Sequence, residues 1–169
     1  MKLWFATIVA LILGAASANG ADTLIAVFGQ MDDGVKLEYF SATCADNPEC
    51  EAGSVSCDGS GLTLDLFAVE DGDAGYLLRD GNGVRLKAGK QSAVVLPTSL
   101  GFDELNGGWD ITFGGWRSRG EETDELVDAM KQAPLEIVNV AKTMDLDLPT
   151  GSSGMSQQKQ FAEACIGLR

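Results

Sequence analysis

Leu62, Leu64, Leu66 and Ala68 alternate with Thr63, Asp65 and Phe67. A period of two of this kind turns one set of side chains to a core and the other mostly to solvent, as in a half-buried β-strand. Similar β-prone runs recur at Thr23–Phe28, Val35–Phe40, Gly53–Cys57, Leu62–Val69, Gly75–Leu78, Val84–Lys87, Ser92–Leu96 and Trp109–Phe113. Gly, Asp and Asn punctuate them, which is the mark of an antiparallel sheet protein. Between Leu78 and Val84, Arg79-Asp80-Gly81-Asn82-Gly83 offers the positive φ values of a tight hairpin. Trp109, Ile111 and Phe113 share one strand face and are expected in the core.

Past Trp116 the pattern changes. The acids Glu121, Glu122, Asp124 and Glu125 precede Leu126, Val127 and Met130, then Lys131 and Pro134. This predicts a short amphipathic helix with acids at its positive end and a proline as terminator. Two further strands are expected at Leu135–Val140 and Met144–Leu148, followed by a turn at Gly151–Gly154. A final helix is predicted over Ser156–Leu168, with Phe161, Ala164, Cys165 and Leu168 on one face. The expected fold is mainly β with two short helices, an antiparallel β-sandwich or meander closed by a C-terminal helix.

The N-terminus changes the picture of where this domain works. Met1-Lys2, the apolar run Leu3–Leu13 and the small-x-small triplet Ala16-Ser17-Ala18 have the form of a cleaved export signal over residues 1–18. Residues 19–169 then form one disulfide-stapled β-rich domain, periplasmic or secreted. The apolar run is shorter than the roughly 20 residues a membrane span needs, so no stable membrane anchor is expected after cleavage. In an oxidising compartment Cys44, Cys50, Cys57 and Cys165 are expected to form disulfides. The turn-rich Ala45–Glu49 favours Cys44–Cys50, leaving Cys57–Cys165 to tie the C-terminal helix to the sheet. The cysteine spacings lack the paired knuckles of zinc sites, and no metal or cofactor is expected.

Twenty-five Asp and Glu against 12 Lys and Arg give a formal net charge of −13, and there is no His. The acidity excludes nucleic acid as a natural partner, since that affinity rests on cations neutralising phosphates. The missing His removes His-dependent triads and His-ligated metal sites.

Three constellations could carry chemistry. Asp71 and Asp73, with Asp80 and Asn82 nearby, gather oxygen ligands of the kind Ca²⁺ uses, although the spacing does not fit the twelve-residue loop. Ser156 and Lys159 match Ser-x-x-Lys, where a desolvated lysine could activate the serine. The neighbouring Gln157, Gln158 and Gln160 suggest an exposed first turn instead. Trp116, beside Arg117 and Arg119, is the aromatic expected at the surface and the first place to seek a binding spot.

A strand ending in Cys57, a Gly/Asp-rich meander, the segment PLEIVNVA and the closing LDLPTGSSGMSQQKQFAEAC together resemble small exported alphaproteobacterial proteins of the invasion-associated locus B group. They are also similar to type VI secretion accessory proteins with a late Cys on a terminal helix. The resemblance spans Ser54 to Cys165 as an order of elements, and the Cys44/Cys50 pair is additional to it. It implies a periplasmic or surface β-sandwich closed by a helix, without catalysis. The functional expectation is an exported, non-enzymatic envelope binding or accessory protein with a protein partner. Alternatives are an acidic inhibitor of a basic exported enzyme such as lysozyme, a small carboxylate- or serine-dependent hydrolase, and a calcium-dependent adhesin.

Overall fold

The computed structural model describes residues 24–42, 51–78, 83–114, 120–139 and 152–168. Its larger sheet is built around the alternating run, now β4 (Gly61–Val69), flanked by β3 (Glu51–Asp58) and β8 (Gly108–Gly114). β1 (Leu24–Gln30) and β2 (Gly34–Ser41) extend it on one side and β7 (Pro97–Asp103) on the other, giving the order β1-β2-β3-β4-β8-β7. All neighbours are antiparallel. A second, three-stranded antiparallel sheet has the order β6-β5-β9, from β5 (Val84–Ala88), β6 (Gln91–Val95) and β9 (Leu135–Asn139). Neither sheet closes into a barrel. The helices are α1 (Asp71–Leu78), α2 (Glu121–Ala129) and α3 (Ser152–Gly167).

The core follows the alternation. Leu37, Val55, Leu62, Leu64, Ile111 and Phe113 from the large sheet, with Val84, Leu86, Leu135 and Ile137 from the small one, are all buried. α2 packs on β6 and β5 through Leu126, Val127 and Met130, and α3 lies along β1 and β2. α3 is tied down by the expected disulfide: Cys57 and Cys165 are bonded, with Cα atoms 5.7 Å apart and both residues fully buried. Consecutive glutamines of α3 anchor it further. Gln157 Oε1 accepts the Phe28 N–H at 2.9 Å on the outer side of β1, and Gln158 Oε1 accepts the Leu135 N–H at 2.8 Å. Gln158 Nε2 donates to the carbonyls of Met130 and Ala133, closing the C-terminal end of α2.

Several expectations are corrected. The segment Gly75–Leu78 is part of helix α1, so it cannot form a hairpin with β5, whose partners are β6 and β9. Glu70 O accepts the N–H groups of Asp73 and Ala74, and the acids sit at the positive end of the helix. Gly72 and Gly75, each costing a helix about 1 kcal/mol relative to Ala, concealed it. The alternation of β4 breaks at Ala68, which takes φ 52° at a bulge and is exposed instead of facing the core. α3 starts at Ser152, so residues 152–154 are helix and not turn. Leu168 lies just beyond α3 and is 42% exposed. There are thus three helices among the described residues, and the terminal one is long. The Met144–Leu148 strand and the Arg79–Asn82 turn fall outside the described residues, as do Cys44 and Cys50.

Gly114 shows how tightly the sheet is drawn together. It holds φ 125°, and a Cβ there would lie 2.4 Å from the carbonyl oxygen of Leu62. Only glycine meets both conditions without strain.

Candidate functional site

Among the described strands four form sheet edges, and three of them have a neighbour or a paired charge beside them. The Gln157 side chain and the body of α3 cover β1. Helix α2 packs on β6. On β9, Leu135 and Ile137 are buried, the Leu135 N–H is taken by Gln158, and the exposed Glu136 pairs with Lys87 at 2.7 Å. Such devices keep an edge from templating another chain.

β7 is different. Its interior residues Thr98, Ser99, Leu100, Gly101 and Phe102 are all exposed. The register pairs Leu100 with Ile111 and Phe102 with Trp109, so both apolar side chains stand on the face that is core elsewhere in the sheet. Yet Leu100 is 45% and Phe102 51% exposed. Phe102 and Trp109 meet edge to face with centroids 5.1 Å apart, and the Trp109 indole N–H donates to the Asp71 carboxylate. The following turn carries Leu105, 94% exposed. An uncapped backbone edge with apolar side chains alternating along it is the geometry that accepts an added strand.

The turn after β7 is well fixed. Asp103 accepts the Leu105 N–H at 2.8 Å and the Asn106 side-chain amide at 2.6 Å. These bonds, the Leu105 backbone first, hold its carboxyl below the ordinary aspartate pKa. Gly107, with φ 69°, then reverses the chain into β8.

The surroundings are acidic. Asp103 and Glu104 end the strand, Asp110 lies opposite Gly101, and Asp71 holds the indole. The segments 61–78 and 97–114 contain no Lys or Arg. Among the described residues four lysines are in ion pairs: Lys36 with Glu51 and Glu38, Lys87 with Glu136, Lys131 with Asp128, and Lys159 with Glu163. Burial alone would lower the Lys36 pKa, but its bonds to Glu51 and Glu38 outweigh this and raise it.

The residues singled out from sequence distribute unevenly. Asp71 and Asp73 open a helix, not a loop, and Asp71 is engaged by Trp109. Among the described residues no three potential ligands among His, Cys, Asp and Glu converge as a metal site. Ser156 lies in the second turn of α3 and is exposed, as is Lys159, so the desolvation that would activate the pair is missing. Gln158, expected at an exposed turn, is buried because it satisfies backbone groups of two other elements. Trp116, Arg117 and Arg119 lie outside the described residues. A groove of about 630 Å³ between α2 and the β5–β6 turn is lined by Asp124, Glu125, Asp128 and Lys90, with no apolar side chain larger than alanine. It offers little to hold an apolar or aromatic ligand.

Sequence reasoning missed β7 because Pro97 and Gly101 make the segment read as loop. The signal was present in the alternation of Thr98, Leu100 and Phe102, and in a proline at the first strand position, where edge strands tolerate it. No helix among the described residues is long and apolar enough to cross a membrane. The disulfide is consistent with an oxidising, non-cytoplasmic compartment. No family model, curated protein or solved structure matches the chain.

Proposed function

We propose that the chain is an exported, non-enzymatic binding or accessory protein of the cell envelope that engages a protein partner through the free edge of β7. The observation that carries this reading is the contrast between edges: β1, β6 and β9 are covered or charged, whereas every interior residue of β7 is exposed. Export is supported by the signal-like residues 1–18 and the buried disulfide, and periplasm or extracellular space is the proposed location. The resemblance to envelope proteins of the invasion-associated locus B and type VI secretion accessory kind points the same way. The net charge of −13 favours, as a second form of the same reading, inhibition of a basic exported enzyme such as lysozyme.

The test compares the oxidised protein with its Leu100→Lys/Phe102→Lys variant as bait, against envelope extract and a panel of basic exported enzymes. Both positions are about half exposed, so the substitutions leave the core in place. A partner held by the parent and lost by the variant supports β7 as the binding edge. A partner held equally by both overturns it.

A further inference from the structure

From the charge around the edge we infer the chemistry of its partner: β7 accepts an extended polypeptide segment that alternates apolar and cationic side chains and adds to the large sheet as a further strand. The inference rests on the reading of β7 as a docking edge and specifies what docks there. A strand laid beside β7 would satisfy the outward N–H and C=O groups of Thr98–Asp103, and every second side chain would fall on the Leu100/Phe102 face. Those positions call for apolar groups. The remaining side chains and the strand ends meet a field set by Asp103, Glu104 and Asp110, with no Lys or Arg in segment 97–114. The cations of the partner would supply counter-charges that none of the ion-paired lysines among the described residues gives there.

The same field disfavours the simplest rival, a second copy of the chain. Two β7 edges meeting would be complementary in backbone, but they would bring together two chains of net charge −13. A basic strand gains from the charges that a second copy must overcome.

The experiment uses the oxidised protein and capped peptides as long as β7, alternating Val with Lys, with Thr or with Glu. A fourth peptide repeats the Val/Lys sequence with alternate backbone amides N-methylated. Affinity is measured by titration, and the contact is located by hydrogen exchange of backbone amides. The expected result is protection of Thr98–Asp103 by the Val/Lys peptide, with affinity at least about tenfold above Val/Thr at low salt. That advantage should shrink as the screening length falls from about 10 Å at 0.1 M to about 3 Å at 1 M. Loss of binding on N-methylation is expected, since it removes strand pairing and keeps the charge. Equal binding by Val/Thr and Val/Lys overturns the cationic preference while leaving the docking edge intact. Failure of all peptides to protect β7 overturns both. Undiminished binding of the methylated peptide, or protection of β7 by the protein's own dimerisation at raised concentration, overturns the inferred partner.

Discussion

Removing the disulfide between Cys57 and Cys165 is the most direct perturbation of the fold. The bond joins residues 108 apart in sequence, from β3 at the sheet centre to α3 near the C-terminus. In the chain-entropy treatment a crosslink closing a loop of this length restricts the unfolded ensemble by about 5 kcal/mol at 25 °C. That is comparable to the whole stability of many domains, about 5–15 kcal/mol. Both cysteines are 0% exposed, so Cys57→Ala/Cys165→Ala also leaves unfilled space in the core, which adds to the loss. The assay is urea unfolding of the parent and this double variant, followed by tryptophan fluorescence, with Cys44 and Cys50 unchanged. Taking a urea slope near 2 kcal/mol per M, the midpoint should fall by about 2.5 M. The slope itself should rise, because the unfolded chain is freed to expose more surface. A midpoint shift below about 0.5 M with an unchanged slope would refute the reasoning that the bond acts by restraining the unfolded chain.

Gln158→Leu removes the acceptor for the Leu135 N–H and the donor for the Met130 and Ala133 carbonyls; a loss of about 2–4 kcal/mol is expected in the same titration, and a neutral result would show that the three groups find other partners. Gly114→Ala forces a Cβ to within 2.4 Å of Leu62 O at φ 125°; thermal unfolding should show a destabilisation of more than about 2 kcal/mol, and a wild-type melting temperature would contradict the close approach. Asp103 has a folded pKa below its ordinary 3.8, so its contribution to the β7–β8 turn is fully present above that value and is lost as pH falls through the lower, folded one. Exchange protection of Leu105 N–H should therefore decline below about pH 4 in the parent, and Asp103→Asn should abolish this pH dependence; an identical profile in both would exclude Asp103 as its source.

How much was legible follows from which forces are local. Alternation in Leu62–Leu66 and in Trp109–Phe113 reports burial, and both runs are strands with Leu62, Leu64, Leu66, Ile111 and Phe113 buried, while Trp109 is only partly buried. The pattern around Leu126 and Phe161 likewise located α2 and α3, and the chemistry of export pointed to the Cys57–Cys165 bond. The failures fall where tertiary context overrides local preference. α1 tolerates two glycines because its first-turn N–H groups bond Glu70 and its Asp71 anchors Trp109, a residue 38 positions away. β7 exists because β8 offers a ladder from Ser99 to Asp103, with a break in register at Thr98, despite Pro97 and Gly101. Gln157 and Gln158 looked like surface residues because nothing in the local sequence reveals that backbone donors of β1 and β9 lie beside them. The candidate site was hidden for the same reason: Leu100 and Phe102 alternate like core residues, and no window of sequence shows that they are about half exposed.

The acidity and the bare edge then bear on one another. A free strand with Leu100 and Phe102 alternating along it is an aggregation hazard, and proteins commonly blunt such edges with an inward lysine, a proline in mid-strand or a covering helix. Among the described residues none of these protects residues 99–102, and segment 91–114 has no Lys or Arg. What the strand does have is Asp103, Glu104 and Asp110 close by and a net charge of −13 behind them. Like net charge opposes the approach of two copies, and it does so without occupying the edge. A mid-strand proline or a covering helix would block every partner alike, whereas carboxylates beside the strand block anionic ones and attract cationic ones. With β7 as the proposed docking edge, the charge distribution would act as a filter on which chains pair with it, and raising ionic strength should weaken both effects together, increasing self-association while reducing affinity for a basic strand.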